Sequence, residues 1–539
     1  MINRGTRVRT YRRWLAHAIA GVLASAIALV FLLIERGTGN RPLVLLFTLF
    51  DLLLVGALAS AAMSVTMRWR SSLFAGTGLV LAVYFVSRLR MQYTAMAAQA
   101  SDLTLLLSAW DLVKPFAWPA IAIFVALAAS FVALLIVERP LARTGRFRGE
   151  LVLLSAMLFV NCAMIDDYLP AEDADLITAG PGAKIALFYR SVYLRPSLKP
   201  AAFPAMGKHC CMDAAEPPTA GFRGTVQPNL VIVLQESTFP PSNLRGQPAA
   251  SNFLFDGAAQ LKVHVRGSGT WVEEFTVLHG VPPTVYGDDY VHINRLGPAM
   301  RLPGRIAALL ATRGYDTTTV YPAAGEMLLA ETMHRSLGMQ RFIDCQEIPR
   351  CRENIDWNKT ADSVFYDEVL ELLRGRDGPQ FIFTGTMRQH SPHFERFPLR
   401  QYKQEVMREY DRRLALSSND AEAFISALRR LPRPTVVLMF GDHIPSDVVA
   451  AFDERDFAAD PFRTFFNIYD TSGTPRAAEL MARFPGIEAV DSAFLDVLLL
   501  DFAGFTGDYI DTKLRFMQTC GGQFCEASEP ERAITLRRR

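Results

Sequence analysis

The chain has 539 residues, enough for more than one hydrophobic core, and half of them are hydrophobic, a high share for a water-soluble protein. A formal net charge of +2 excludes the strongly basic surface of a nucleic-acid binder, and no nucleic-acid-binding motif occurs. The long apolar runs are confined to the first third, where a membrane portion is expected.

Five segments of that third read as transmembrane helices, at about 14–34, 42–67, 73–86, 118–137 and 151–164. Arg4, Arg7, Arg9, Arg12 and Arg13 precede the first, Arg68 and Arg70 follow the second, and Arg139, Arg143, Arg146 and Arg148 lie between the fourth and fifth. With five spans all three clusters fall on one side, which the positive-inside rule makes cytoplasmic. Everything after about Asp166 then lies outside. The first span is read as an uncleaved anchor, because its apolar run is long for a signal peptide and further spans follow. Residues 97–113, interrupted by Asp102 and Asp111, suit an amphipathic helix at the outer interface better than a sixth span.

Cysteine usage agrees with an outside location. Six of the seven cysteines follow the last span, and the close pairs Cys345 with Cys351 and Cys520 with Cys525 look like small-loop disulfides of an oxidising compartment. Cys210 and Cys211 have no evident partner, and Cys162 reads as a buried apolar thiol. Metal binding by these cysteines lacks any C-x-x-C or matched histidine spacing.

The chain divides into a transmembrane domain (1–168), a Pro- and Ala-rich linker with short helices (169–225), a catalytic-type domain (226–510) and a tail (511–539). Within the third part, short β-rich runs at 229–234, 317–321, 380–384 and 435–440 alternate with helical segments near 363–374 and 420–431. That alternation implies an α/β domain with a mostly parallel central sheet, and continuous apolar strands mean that both faces are covered.

Ligands of such sheets bind beyond the carboxyl ends of the strands. The first run ends in Gln235-Glu236-Ser237, the third in a loop that reaches His390, and the fourth in Gly441-Asp442-His443. Taken singly, Glu236 could cap a helix, Asp442 could serve a turn and His390 could be a surface imidazole. Together, Glu236, Asp442 and His443 offer oxygen and nitrogen ligands suited to Zn²⁺ or Mn²⁺.

The stretch Gly267-Ser-Gly-Thr-Trp-Val-Glu-Glu-Phe275 runs from flexible residues into a helix that places Val272, Phe275 and Leu278 on one face. Thr270 is then either an ordinary N-cap or a nucleophile aimed from a helix N-terminus that favours anions. With Thr270 as a fourth ligand, a divalent cation would lower its hydroxyl pKa and make it reactive. Trp271 either roofs this site or packs. Glu273 and Glu274 are expected to serve the first helical turn, and nothing in their spacing makes His279, His292 or His393 ligands.

The five spans, Asn229-Leu-Val-Ile-Val-Leu-Gln-Glu-Ser237, Gly269-Thr-Trp-Val-Glu-Glu-Phe275 and Phe440-Gly-Asp-His443 resemble the sulfatase-like branch of the alkaline phosphatase superfamily. Within it they are most similar to the lipoteichoic acid synthase and phosphoglycerol transferase group, with the lipid A phosphoethanolamine transferases as cousins. The resemblance implies a metal held by Glu236, Thr270, Asp442 and His443, a covalent intermediate on Thr270, and a contact from His390 to the transferred phosphate or the departing oxygen. It also implies one divalent cation, Zn²⁺ or Mn²⁺ with Mg²⁺ admissible. The implied donor is phosphatidylglycerol or phosphatidylethanolamine, the implied acceptor a glycan or glycolipid, and the setting the outer face of a bacterial cytoplasmic membrane. The C/S-x-P-x-R setting of true sulfatases is absent around Thr270.

Where the synthases carry a His-Gly turn and a Trp-Asn-Arg run that grips glycerol phosphate, this chain reads Tyr321-Pro-Ala-Ala-Gly-Glu-Met-Leu-Leu-Ala-Glu331, with Ala330 in the place of the arginine. Glu326, Glu331, His334 and Arg335 are the nearby polar candidates for the headgroup pocket, together with Trp271. The segment 337–344 still resembles the family's Leu-Gly-Phe-Asp-x-Phe-x-Asp.

Overall fold

The computed structural model describes residues 41–94, 125, 128–140, 145–166, 220–248, 252–283, 293–296, 306–353, 360–394, 399–458 and 460–524. Contacts divide the chain into two units, essentially residues 1–195 and 196–539.

In the first unit, helices α1 (Arg41–Thr66), α2 (Trp69–Thr94) and α3 (Gly145–Asp166) occupy the second, third and fifth expected spans, and residues 128–137 of the fourth are helical. The first expected span, the interfacial segment 97–113 and most of the linker lie outside the described residues. Among the described residues, no helix is long and apolar enough to cross a membrane. Small residues bring the helices close: Ser155 Oγ on α3 donates to the Ala57 carbonyl of α1 at 2.9 Å, and the buried Cys162 thiol faces the Phe50 carbonyl. The Glu138 carboxylate accepts from the Arg70 and Ser71 amides, both at 2.8 Å, and so satisfies orphan donors at the start of α2. Apolar side chains remain on the outside of the helices, including Ile136, Val137 and Leu153.

The second unit is built on an eight-stranded sheet. In chain order its strands are β2 (Asn229–Gln235), β3 (Ala259–Lys262), β4 (Asp316–Val320), β5 (Arg341–Ile343), β6 (Gln380–Gly385), β7 (Thr435–Gly441), β8 (Arg463–Tyr469) and β9 (Ala489–Asp491). Their spatial order is β5-β4-β6-β2-β7-β8-β3-β9. A separate pair joins β1 (Gly221–Phe222) to β10 (Phe505–Thr506), so the end of the expected linker is already part of this unit. β8 is antiparallel to both neighbours, and the remaining pairings are parallel. The sheet is therefore mixed by one reversed strand.

β2 lies at the centre with every residue buried, and its period of two feeds two cores. Leu230, Ile232 and Leu234 face the core shared with α4 (Thr270–His279), α9 (Leu495–Phe502) and α10 (Asp508–Thr519). Val231 and Val233 face the one shared with α6 (Asp362–Arg374) and α7 (Lys403–Leu428). The short helix α5 (Ala330–Ser336) precedes β5, and α8 (Ser446–Ala451) follows β7. Residues 508–519, which reach into the expected tail, form α10 and bury Tyr509, Ile510, Phe516 and Met517 in the first core. Cys345 and Cys351 form the expected disulfide. Cys520 is also oxidised, and its expected partner Cys525 lies outside the described residues, as do Cys210 and Cys211.

Candidate active site

The carboxyl ends of β2 and β7, hydrogen-bonded neighbours in the sheet, deliver Glu236 on one side and Asp442 with His443 on the other. Just beyond β2, Ser237 adopts a left-handed conformation at φ 51°, rare for a residue with a side chain and typical of functional turns. That turn aims the Ser237 amide at Asp442 Oδ1, 2.7 Å away, while its hydroxyl donates to Glu236 Oε1 at 2.7 Å. At the end of β7 a Cβ on Gly441 would collide with the Thr238 carbonyl oxygen, so the close approach of the two strand ends requires glycine there.

Thr270 is the first residue of α4, not its cap. The cap is Gly269, at φ 107°, and it makes no side-chain hydrogen bond. The Thr270 hydroxyl donates to Glu236 Oε2 at 2.9 Å and lies 3.3 Å from His443 Nε2. Ligand atoms of Glu236, Asp442 and His443 all fall within 4.8 Å of one another, and all three residues are buried.

The donor set tests whether a cation fits. His443 Nδ1 faces the Ile444 carbonyl at 3.0 Å, so that nitrogen carries the proton and the Nε2 lone pair points into the cluster. There it meets Asp442 Oδ2 at 3.3 Å and Glu236 Oε1 at 3.7 Å, acceptors facing an acceptor. Asp442 Oδ2 is buried with no hydrogen-bond partner. Burial and then the Glu236 carboxylate push the Asp442 carboxyl well above its ordinary range, and burial pulls the His443 imidazole down. Such a constellation is costly by itself and is relieved by a divalent cation bound between the three groups. Glu236, Asp442 and His443 fit that role.

His390 sits on the loop after β6, half-buried, with Nδ1 at 2.7 Å from the Ser391 carbonyl, and its charge reaches His443 and lowers that imidazole's pKa. The loop is held by its main chain. Arg413 on α7 donates to the carbonyls of His390 at 3.0 Å and Pro392 at 2.9 Å, with a longer contact to Arg388, and Asp362 accepts from the Met387 and Arg388 amides. His393 is enclosed beside Asp447, whose carboxyl stays at about 2 because His393 and Ser391 outweigh the effect of burial.

The expected pocket residues separate. Trp271 is half-buried and packs against the first core. Glu326 is exposed on the loop after Tyr321, and Arg335 is occupied by Glu331 at 2.7 Å and the Gln340 carbonyl at 2.9 Å. His334 is fully buried, its nitrogens directed at Thr319 Oγ1 and Glu274 Oε2. Enclosure removes it from direct contact with a headgroup, so that expectation is corrected to a supporting role. Glu273 lies in the first turn of α4, as expected, and both it and Glu274 are buried, each holding a histidine, His264 and His334 respectively. Tyr321 hydrogen-bonds Glu274, and burial, then the charges of Glu274, Glu236 and Asp442, push its hydroxyl pKa upward. Sequence spacing singled out neither Ser237, Tyr321 nor Arg413. His279 is buried against Phe275, and His292 lies outside the described residues.

An α/β sheet with an acid, an acid–histidine pair and a helix-borne hydroxyl converging at its carboxyl edge can hold a divalent cation and aim the hydroxyl at a phosphoester or sulfoester. Residues 228–459 match the Sulfatase family. An uncharacterized protein of Haemophilus influenzae is 22% identical over 308 residues, which are 52% of this chain and 54% of that protein. The chain thus spans about half the length of the curated relative it matches.

Among solved structures, the integral membrane lipooligosaccharide phosphoethanolamine transferase A of Neisseria meningitidis aligns over 85% of this chain and 95% of its own, at 13% identity and a TM-score of 0.50. The Streptococcus pyogenes phosphoglycerol transferase GacH, in complex with sn-glycerol-1-phosphate, covers 57% of this chain and 84% of its own, at 17% identity and a TM-score of 0.45. At 13% identity, the likeness to the first of these shows the fold alone.

Proposed function

We propose that the protein transfers the phosphate-linked headgroup of a phospholipid, phosphoglycerol in the first instance, to a hydroxyl of a cell-envelope glycan or glycolipid, releasing diacylglycerol. The observation that carries this reading is the Thr270 hydroxyl, held 2.9 Å from Glu236 beside the cluster of Glu236, Asp442 and His443. A divalent cation held by those three residues, with Thr270 as the expected fourth ligand, would supply a lowered hydroxyl pKa and neutralise charge on the non-bridging oxygens.

The chain's own groups do the rest. Glu236 accepts the Thr270 proton. Thr270 Oγ1 forms a bond to phosphorus as the bond from phosphorus to the diacylglycerol oxygen breaks, and that oxygen takes a proton, for which His390 is the candidate. The phosphothreonine diester is then displaced by the acceptor hydroxyl, and the threonine oxygen recovers a proton. The N-terminus of α4 stabilises the negative charge as it develops.

Lipid as donor is supported by the first unit. Its helices coincide with three of the five expected spans and carry apolar side chains outward. Arg68 Nε donates to the Glu138 carbonyl at 2.8 Å, which brings the ends of the second and fourth expected spans together, in keeping with the five-span reading. On this reading residues 226–510 lie outside the cytoplasmic membrane, a setting in which the Cys345–Cys351 disulfide persists.

The second reading is phosphoethanolamine transfer. The exposed Glu326 carboxylate, on the loop that replaces the Trp-Asn-Arg run, favours an ammonium group. Membranes containing the protein are given phosphatidylglycerol and phosphatidylethanolamine with labelled headgroups, and the label reaching glycan names the donor. Intact mass should show a headgroup-phosphate adduct that Thr270→Ala abolishes. An adduct that survives this substitution removes Thr270 from the mechanism.

A further inference from the structure

Two glutamates of α4 are buried three and four residues past Thr270, and one of them reaches back across the nucleophile. Glu273 Oε1 accepts the backbone N–H of His264 and faces His264 Nδ1 at 3.2 Å; its other oxygen accepts the Ser492 hydroxyl at 2.6 Å. His264 Nε2 faces Asp491 Oδ2 at 3.2 Å, and Asp491 Oδ1 is fixed by the Ala493 amide at 2.9 Å. His264 stands just after β3, six residues before Thr270, so the Glu273–His264 contact closes a ring of chain with Thr270 inside it. The same ring is tied to the metal-binding edge at its far side, where the Gly267 amide donates to the Ile444 carbonyl at 2.8 Å. Glu273 and Ser492 are fully buried, and His264 and Asp491 nearly so.

This cluster places an imidazole between two carboxylates, with both ring nitrogens in reach of an acceptor. Burial pulls the His264 pKa down, but Asp491 and then Glu273 outweigh it and push it up to about 10, so the ring is an imidazolium that donates at both ends. A core packed only to hold the fold does not need a charged ring here, because an apolar group of the same volume would be as stable. What the charge gives is direction: two fixed hydrogen bonds set the position of residue 264, and through Glu273 the first turn of α4.

We infer that Glu273 and His264, backed by Asp491 and Ser492, are positioning residues that hold the Thr270 hydroxyl beside Glu236; the inference rests on the reading of Thr270 as the attacking group. Neither residue touches the substrate. Their effect is on where Thr270 Oγ1 lies, and displacement of about 1 Å in a reacting group costs on the order of 100-fold in rate.

The test uses the full-length protein with Glu273→Gln, Glu273→Ala and Thr270→Ala. Two readouts are taken: the single-turnover rate of adduct formation from labelled phospholipid, and the visible absorption of the Co²⁺-loaded protein, which reports the ligands around the metal. Glu273→Gln retains an oxygen for the His264 amide and loses the charge pair. It should slow adduct formation by about 10-fold, and Glu273→Ala by about 100-fold, with KM for lipid and Co²⁺ stoichiometry as in the wild type. The Glu273→Ala spectrum should move toward that of Thr270→Ala. A wild-type rate and spectrum in a folded Glu273→Ala protein overturn the clamp alone, as does an effect confined to KM. If Thr270→Ala itself leaves spectrum and adduct unchanged, the functional reading fails first and takes the clamp with it.

Discussion

Replacing Asp442 with asparagine should make the metal-free protein more stable while ending its ability to hold a metal. Asp442 Oδ1 accepts the Ser237 and His443 amides, bonds that an asparagine oxygen can keep, whereas Oδ2 lies buried and unpartnered against the Glu236 carboxylate and His443 Nε2. Two carboxylate charges within the 4.8 Å span of the cluster repel by about 3 kcal/mol at an effective dielectric constant of about 20. Because part of that repulsion is escaped by proton uptake, the expected gain from Asp442→Asn without metal is about 1–3 kcal/mol.

The sign with pH follows from the raised carboxyl. A carboxyl raised in the folded state stabilises it below the unfolded value near about 4 and loses that contribution as pH rises. The advantage of the variant should thus grow as pH rises above the ordinary carboxyl range and vanish in acid. Saturating metal reverses the order, since ligand at about 1,000 times Kd stabilises the wild type by about 4.1 kcal/mol and the variant by little. Calorimetry of the full chain in chelator, at neutral pH and near pH 4, and again with Zn²⁺ or Mn²⁺, reads all three. At about 2–4 °C per kcal/mol, the variant should melt a few degrees higher in chelator. A variant that melts several degrees lower than wild type in chelator would refute the reasoning and show that no cation is needed to relieve the cluster.

Tyr410 on α7 both donates to the Phe239 carbonyl at 2.7 Å and accepts from the Phe239 amide at 2.9 Å, so Tyr410→Phe strands two buried backbone groups. A loss of about 2–4 kcal/mol is expected in urea unfolding, and a loss below about 0.5 kcal/mol would contradict the assignment. Arg413→Lys replaces a planar fork by a point charge and should lower the turnover number about 10-fold with little change in melting temperature; unchanged turnover counts against the role given to the His390 loop. His264, raised to about 10, contributes stability that is complete below about 6.5 and is lost as pH rises through about 10. Urea midpoints of the wild type should therefore fall more steeply between pH 7 and 10.5 than those of His264→Asn, and parallel curves would exclude a protonated His264.

Much of the domain could be read from sequence because its central strands are buried on both faces. β2, β4, β6 and β7 are continuous apolar or β-branched runs, and each begins and ends within a residue of its expected limits. β8 has equally strand-like residues, Arg463-Thr-Phe-Phe-Asn-Ile-Tyr469, but composition carries no direction, and its reversal comes from pairing with β7 and β3. α7 begins at Lys403, well before its expected start, because its first turns show solvent a polar face and bury only a narrow stripe through Val406, Met407 and Tyr410.

The cluster of Glu236, Asp442 and His443 was legible because strand ends mark ligand sites. The groups that hold it were not. His264 meets Asp491 across 227 positions and Glu236 meets the Thr386 hydroxyl across 150, and no local pattern encodes such contacts.

Arg413 grips the loop around His390 by carbonyl oxygens alone. Main-chain restraint of this kind keeps the path of the loop where its side chains make no contact of their own, whereas Ser391 and His393 are also held by Asp447 and Phe394 packs against the second core. Evolution and laboratory selection thereby have, at the positions without such contacts, places where acceptor preference can drift without unmaking the catalytic apparatus. Libraries confined to those positions should yield folded proteins far more often than libraries of equal size around Ser237, where a left-handed turn leaves little freedom.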